Sequence, residues 1–340
     1  MEIKEKLKLI KRNIDEVVTE DGLEELLGEK DEPLVYWGTA PTGKPHAGYF
    51  LPMMKIADFL KAGMKVKILI ADLHAALDNV PWDVVEKRYE YYKEVIPLIL
   101  RSIGVDTDKL EFVKGSDFQL KPSYMHDVLE LSSYVTVNNA SRASREVVKH
   151  GDNPKLSGLI YPVMQALDEH YLNVDIQFGG TDQRNTMMLA RENLPKLSYN
   201  KRIEIINPLV PGLIGEKMSS SEEKGKIGFL DSEDKVDKKL KDAEMVAGQP
   251  DNGVMAFLKY VIMTNKKDKG EKFIVERPEK YGGNKEYSSY EEVEEDFKEE
   301  ELHPLDLKKA VAKEINNLLS IFREKENMER IEKIAKEAYE

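Results

Sequence analysis

The apolar positions in the first half of the chain alternate between short continuous runs and longer amphipathic stretches. The short runs have the length and composition of buried parallel strands: LVYWG (34–38), VKILIAD (66–72), KLEFVKG (109–115) and VDIQFGG (174–180). The longer stretches have the period of helices, and they are residues 46–63, 81–104 and 181–194. This alternation predicts an α/β fold with a Rossmann-type, doubly wound parallel sheet.

Three flanking regions lack this alternation and are predicted to be helical. Residues 2–28 indicate an N-terminal helix that ends at Gly28, and residues 118–172 are mostly helical in pattern. Beyond about residue 230 the periodicity is again helical, and the charged tail from about 323 is expected to continue outward or fray. The expected divisions are an N-terminal segment (1–32), a sheet domain (33–230) with a helical insertion at about 118–160, and an all-helical domain (231–340).

Composition and charge exclude several classes of protein. The chain has 340 residues, 41% of them hydrophobic, and no cysteine, so disulfides and thiolate metal sites are excluded. A net charge of −12 argues against a protein that coats nucleic acid, although it allows a locally basic RNA site. The first sixteen residues lack the apolar core of a signal peptide, and no apolar run approaches the ~20 residues that span a bilayer. We therefore expect a soluble, cytoplasmic protein without a membrane segment.

The stretch GTAPTGKPHAGYF (38–50) resembles a phosphate-binding P-loop only in part. Its first seven residues fit the pattern, but Pro45 has neither the hydroxyl nor the N–H that the eighth position requires. What remains is a strand, a turn and His46-Ala47-Gly48-Tyr49 at the start of a helix, where an anion is favoured. His46 would donate to a phosphate oxygen there. A capping histidine beside a packing glycine is the alternative.

A second polar stretch, GEKMSSSEEKGK (215–226), carries Lys217, Met218, Ser219, Ser220 and Ser221. A loop with these side chains could close on a triphosphate, although alone the stretch is more typical of an ordinary serine-rich surface loop. The pair of motifs, H-x-G-Y after the first strand and K-M-S-S-S after the last, resembles the signatures of class I aminoacyl-tRNA synthetases. YWGTAPTGKPHAGYF, ADLHA, GLIYPVMQALD, VDIQFGGTDQR, NPLVPGL, RPEKYGGNK and LHPLDLKKAV further resemble the archaeal and eukaryotic tyrosyl-tRNA synthetases, over residues 33–322.

The resemblance implies a tyrosine–tRNA ligase that uses ATP with Mg²⁺, the metal arriving with ATP and not held in a dedicated protein site. The catalytic residues it implies are Thr42, His46, Tyr49, Lys217, Ser219, Ser220 and Ser221. Contacts to ATP are implied for Gly38, His46, Gly48, Gly179, Gly180, Asp182 and Met218. Ser220 stands where many synthetases have a second lysine. Lys44 or Lys224 could replace that charge, or both are surface lysines.

The resemblance also implies how the amino acid is bound. Tyr36 and Asp168 would face the phenol hydroxyl, while Tyr161, Gln165 and Gln183 would hold the amino end. The spacing of Tyr161, Gln165 and Asp168 puts all three on one helical face. Such a polar stripe is costly if it is buried without partners. A ligand with an amine and a hydroxyl explains it, and a core hydrogen-bond network is the alternative.

For tRNA(Tyr), the resemblance implies that Arg184 lies near the first base pair of the acceptor stem. Tyr281, His303 and Asp306 match positions that read the anticodon guanine by stacking and hydrogen bonding, the usual way of reading unpaired RNA bases. Asp306 could instead be the N-cap of the last helix. The family is homodimeric through the helical insertion, and the apolar residues of MHDVLELSSYVTV (125–137) permit such an interface.

Three other functions stay open on the sequence. A tryptophanyl-tRNA synthetase has the same two signatures, but its indole substrate has no hydroxyl for Tyr36 and Asp168 to bind. An RNA-binding paralogue without aminoacylation would not need Lys217 or His46. A nucleotidyltransferase without a tRNA substrate would not need the C-terminal motifs.

Overall fold

The computed structural model describes residues 1–107, 110–148, 153–212 and 225–340. Within these ranges a six-stranded sheet forms the centre of the N-terminal two thirds. Its strands are β1 (Glu16–Val18), β2 (Leu34–Thr39), β3 (Lys65–Ile70), β4 (Leu110–Lys114), β5 (Ile176–Gly180) and β6 (Ile203–Asn207). The helices around it are α1 (Ile3–Lys11), α2 (Glu20–Glu29), α3 (Phe50–Lys61), α4 (Asp72–Leu77), α5 (Trp82–Ser102), α6 (Ser116–Gln119), α7 (Pro122–Tyr134), α8 (Val137–Ser144), α9 (Ser157–Tyr171) and α10 (Arg184–Asn193).

The strand order is β1-β6-β5-β2-β3-β4, and every neighbouring pair except β1–β6 is parallel. The order reverses between β2 and β5, so their following segments leave the sheet in opposite directions. Open α/β sheets bind ligands in the crevice at the carboxyl ends of two such strands. The predicted doubly wound sheet is confirmed, and its topology places the crevice between β2 and β5.

The N-terminal segment differs from the single helix predicted over 2–28. It forms α1, then β1, then α2, because Asn13 takes a left-handed conformation (φ 57°) that ends the helical turn. The β-branched pair Val17-Val18 then pairs antiparallel with β6. Strand β6 was not predicted either, although IEIIN (203–207) is an apolar run.

The C-terminal region is mostly helical, as predicted, but it also contains a short hairpin. The helices are α11 (Glu233–Asp242), α12 (Gly253–Phe257), a π-helical turn (Leu258–Met263), α13 (Thr264–Lys269), α14 (Tyr290–Lys298), α15 (Pro304–Arg323) and α16 (Lys325–Tyr339). Strands β7 (Phe273–Val275) and β8 (Lys285–Tyr287) pair antiparallel, so the expectation of a purely helical region is corrected. Gly282 and Gly283, both with positive φ, lie in the connection between these strands.

The charged tail does not continue outward. It forms α16, which lies against α5 and buries Ile331, Ala335 and Ala338. Aromatic stacking also joins the two regions, since the Phe229 ring lies 4.7 Å from that of Phe322 in α15. No helix in the described ranges is long and apolar enough to cross a membrane.

Candidate active site

Two adjoining cavities lie at the carboxyl ends of β2 and β5, each with a volume of about 240 Å³. The first is lined by the predicted amino-acid residues and the second by residues of the H-x-G-Y turn. Trp37, Phe178, Gly180 and Asp182 line both cavities and form the boundary between them. The fold thus places the candidate amino-acid pocket directly beside the candidate nucleotide pocket.

The deep end of the first cavity contains two buried groups that suit a hydroxyl ligand. The side chains of Tyr36 and Asp168 are both buried. Asp168 Oδ1 accepts hydrogen bonds from Gln119 Nε2 and from the Tyr124 hydroxyl, each at 2.8 Å. Asp168 Oδ2 has no hydrogen-bond partner among the described residues. Burial raises the pKa of Asp168 to about 7, so this carboxyl exchanges its proton near neutral pH.

Four residues around this end were missed by reasoning from the sequence: His74, Gln119, Tyr124 and Gln177. His74 Nε2 lies 3.9 Å from Asp168 Oδ2, and burial lowers the pKa of His74 to about 4, so the ring is neutral. Its position directly after the apolar run of β3 was the available signal. The other three had no signal, because separate segments bring them to the pocket.

The amino end of the first cavity is built on α9 and on the turn after β5. Gln165 Nε2 donates to Gln183 Oε1 at 3.0 Å, and Gln165 Oε1 has no partner among the described residues. Tyr161 lines the same cavity and meets the His74 ring edge-on, with centroids 4.6 Å apart. Tyr161, Gln165 and Asp168 therefore share one cavity-facing side of α9. An amide oxygen without a partner suits an ammonium group, and this role stays a prediction.

His46 lies at the entrance to the helical turn that precedes α3. Its Nδ1 accepts a hydrogen bond from the Gly48 N–H at 3.1 Å, so the ring proton is on Nε2. Burial, followed by the charge of Lys226, lowers the pKa of His46 to about 4. The two sequence interpretations are therefore compatible. The ring caps the helix through Nδ1 and retains Nε2–H as a neutral donor.

Tyr49 and Thr42 are held differently from His46. The Tyr49 hydroxyl lies 3.1 Å from both the Thr39 and the Tyr92 hydroxyls, and its ring meets His46 edge-on. Thr42 is held through its backbone carbonyl, which accepts a hydrogen bond from Arg88.

The next carbonyl of this loop, that of Gly43, accepts hydrogen bonds from Tyr92 at 2.7 Å and from Tyr339 at 2.9 Å. The loop that connects β2 to His46 is therefore fixed by its backbone, from both α5 and the end of α16.

The protein's own packing leaves little room for a side chain at the end of β5. A side chain at Gly179 would come within 2.7 Å of Met187 Cε, and one at Gly180 within 2.5 Å of Asp182 Oδ1. At Gly38 the nearest atom, in the Tyr36 ring, would lie at 3.4 Å, which leaves little room. Asp182 lies in a 3-10 turn whose N-cap is Gly180, without a side-chain capping bond. Asp182 is therefore not the N-cap residue of this turn or of α10.

The predicted RNA-contacting residues lie outside these cavities. Arg184 donates to both carboxylate oxygens of Glu16, at 2.6 and 2.9 Å. Tyr281 is 61% exposed, in a turn of the C-terminal region. His303 is the N-cap of α15, since its Nδ1 accepts from the Leu305 N–H, so the N-cap interpretation of Asp306 is wrong. Lys217, Met218, Ser219, Ser220, Ser221 and Lys224 lie outside the described residues.

Known proteins resemble this chain in both sequence and structure. Residues 29–320 match the family of tRNA synthetases class I (W and Y). A tyrosine–tRNA ligase of Natronomonas pharaonis is 44% identical over 327 residues, which cover 95% of each chain. The crystal structure of the tyrosyl-tRNA synthetase of Archaeoglobus fulgidus, complexed with L-tyrosine, is similar with a TM-score of 0.88 and 40% identity, over 95% of this chain and 99% of that one. The chain therefore belongs to the tyrosyl-tRNA synthetase family of class I.

A longer relative is also similar along its shared part. The cytoplasmic tyrosine–tRNA ligase of Xenopus tropicalis is 52% identical over 338 residues, which are 98% of this chain. The chain spans 63% of the length of that relative.

Proposed function

We propose that this protein activates L-tyrosine with ATP and transfers it to the 3′ end of tRNA(Tyr). The observation that carries the proposal is the pairing of Tyr36 and Asp168 at the buried end of a cavity that adjoins the His46 turn. A phenol hydroxyl both donates and accepts a hydrogen bond. The hydroxyl of a bound tyrosine would therefore pair with Tyr36 and with Asp168 Oδ2, which has no partner among the described residues. The names of the relatives, tyrosine–tRNA ligase, support the same substrate.

The first step needs no nucleophile from the protein. A carboxylate oxygen of tyrosine attacks the α-phosphorus of ATP, and the bond from that phosphorus to the bridging oxygen breaks. Pyrophosphate leaves with the electron pair, and tyrosyl-adenylate remains. In the second step a terminal ribose hydroxyl of tRNA attacks the tyrosyl carbonyl and AMP leaves. Catalysis then depends on alignment and on donors placed where charge develops.

Several residues have roles in this proposal on the nucleotide side. His46 Nε2–H donates to a phosphate oxygen, and Asp182 accepts from the ribose hydroxyls at the boundary of the two cavities. Thr42 adds a contact to the phosphates, and Lys217 with its serines, which follow β6 in the sequence, is proposed to reach them as well. Mg²⁺ is expected to arrive with ATP, since it is usually bound through substrate phosphates and few protein carboxylates.

The test is ATP–pyrophosphate exchange with each of the twenty amino acids in the absence of tRNA. Exchange with tyrosine alone supports the proposal. Exchange with tryptophan would mean that the phenol-binding interpretation of Tyr36 and Asp168 is wrong. Absence of exchange with all twenty would favour an RNA-binding paralogue without catalytic activity.

The C-terminal region is proposed to bind the anticodon. Tyr281 is exposed and is proposed to stack on a base, while His303 and Asp306 lie at the start of α15. A groove of about 910 Å³ between α11 and α15 begins beside Leu305 and includes Lys309 and Lys313. Arg184 is proposed to meet the acceptor stem after it leaves Glu16, which holds it in the free protein.

A homodimer is proposed through the helical insertion. Large apolar side chains there are exposed, and they are Leu120 (63%), Met125 (41%), Leu129 (72%), Tyr134 (43%) and Val137 (67%). A cluster of exposed apolar side chains indicates an interaction surface. Sedimentation equilibrium should give twice the 38.9 kDa chain mass, and Leu129→Glu should give single chains. The name of the Xenopus tropicalis relative, a cytoplasmic tyrosine–tRNA ligase, supports a cytoplasmic location.

A further inference from the structure

The hydroxyl of Tyr36 has a neighbour that the proposed function has not used. Gln177 Nε2 donates to the Tyr36 hydroxyl at 2.8 Å, and both side chains are buried, at 3% and 2% exposure. The two residues stand opposite each other in the register of β2 and β5. Gln177 therefore contacts Tyr36 from the adjacent strand, inside the parallel core.

The direction of this hydrogen bond decides what Tyr36 offers to a ligand. A phenol hydroxyl has one proton and accepts through its lone pairs. When Gln177 donates to the oxygen, the proton of Tyr36 is left for another acceptor, and Tyr36 lines the cavity. Tyr36 then presents a donor, whereas Asp168 presents an acceptor in Oδ2.

Buried carboxyl groups are found on the side of Gln177 that faces β6. Gln177 lies opposite Glu204 in the register of β5 and β6, and Glu169 of α9 is fully buried with both carboxyl oxygens unpartnered among the described residues. Burial, with the neighbouring charge of Glu204, raises the pKa of Glu169 well above its usual range. Gln177 Oε1 has no hydrogen-bond partner among the described residues, so the contact of Nε2 with the Tyr36 hydroxyl is the hydrogen bond that orients this amide.

We propose that Gln177 is a positioning residue for amino-acid selection, which fixes Tyr36 as the hydrogen-bond donor to the substrate hydroxyl. The substrate hydroxyl accepts a hydrogen bond from Tyr36 and donates one to Asp168, so a neutral phenol is held in one orientation. This inference rests on the proposed function, and it adds the residue that sets the direction of recognition. Binding of phenylalanine, whose ring has no hydroxyl, gains no hydrogen bond from this arrangement.

The test is a double-mutant cycle of Gln177→Met with Tyr36→Phe, read by ATP–pyrophosphate exchange with tyrosine and with phenylalanine. Methionine has a similar length but no donor. We expect Gln177→Met to lower kcat/KM for tyrosine about five- to tenfold, the size of one hydrogen bond, and to leave kcat/KM for phenylalanine unchanged. In the Tyr36→Phe background the same change should have no further effect. Gln177→Leu, a second side chain without a donor, should give the same loss as Gln177→Met.

Several results would overturn the inference. An equal loss for tyrosine and phenylalanine would make Gln177 a packing residue, and a loss that persists with Tyr36→Phe would show that it does not act through that hydroxyl. If Gln177→Met fails to fold, Gln177→Leu carries the test, and tyrosine activity equal to that of the unmodified protein overturns the inference. Absence of tyrosine exchange in the unmodified protein would instead refute the proposed function. Tyrosine exchange unchanged by Gln177→Met refutes this inference alone.

Discussion

The pocket around Asp168 and the loop around His46 are built in different ways, although they share a wall. In the pocket, side chains are fixed by other side chains, as Gln119 and Tyr124 fix Asp168. In the loop, neighbouring elements hold the backbone carbonyls of Thr42 and Gly43. To select a substrate by one hydroxyl, the pocket must hold its hydrogen-bond donors and acceptors in fixed orientations. To bind a reacting phosphate, the loop must hold its backbone in place and keep some hydrogen-bond donors unpaired.

The largest expected effect is on the phosphate side. His46→Ala should lower the rate of tyrosyl-adenylate formation about 100-fold, the usual loss for a donor to developing charge, and leave tyrosine affinity unchanged. Stopped-flow measurement of activation and equilibrium binding of tyrosine separate the two. His46→Asn is the control, because asparagine can still cap the turn. Full recovery with asparagine would reduce His46 to a cap.

On the pocket side, Asp168→Ala should weaken tyrosine binding by about 1–3 kcal/mol, the cost of an unpaired buried polar partner. Calorimetric titration measures this, and Asp168→Asn retains the shape while it loses the charge. An affinity equal to that of the unmodified protein in both variants would move Asp168 out of the binding site.

Away from both regions, Asp306→Ala should lower tRNA charging by a similar ~1–3 kcal/mol in kcat/KM and leave adenylate formation unchanged. Glu299→Ala, an exposed acid of the same region, is the matched control. If Asp306→Ala impairs both steps equally, its role is structural.

Tyrosine binding in the pocket should depend on pH between 6 and 8, whereas the protonation of His46 in the loop should not change in that range. The pKa of Asp168 in the folded protein is about 7, above the usual value near 3.8, so the carboxyl is mostly protonated at pH 6 and mostly ionised at pH 8. If tyrosine donates to the ionised form, its dissociation constant should fall about tenfold over that range. The same raised pKa stabilises the ligand-free protein fully below pH ~4, and this contribution is lost as the pH rises through 7. Asp168→Asn should remove both dependences, and a tyrosine affinity independent of pH would contradict the assignment.

The smallest effect is expected at the end of α16. Tyr339→Phe removes one of the two hydroxyl groups that donate to the Gly43 carbonyl, so KM for ATP should rise about two- to fivefold. KM for tyrosine should stay constant, and Glu337→Gln, an exposed change on the same helix, should alter neither. A rise in both KM values would show that α16 supports the whole domain.

Much of the fold was predictable because its signals are local. Four of the five parallel strands were predicted from their apolar runs, and the glycines after LVYW and in QFGG mark the ends of β2 and β5 at the crevice. Strand β1 was not predictable in this way, since three residues with EVV have no pattern of their own and are stabilised by pairing with β6. The short β7–β8 hairpin likewise depends on tertiary packing, since Phe273, Val275 and Tyr287 are buried.

For the site, the sequence by itself determined which polar residues share one face of α9 and which motifs flank the sheet, since both depend on helical spacing and order along the chain. Only the tertiary structure decided that Gln119 and Tyr124 hold Asp168, that Gln177 reaches Tyr36, and that Tyr339 holds the loop before His46. These contacts join residues 44 to 296 positions apart. Their partners are chosen by the packing of separate elements, and no local pattern records that choice.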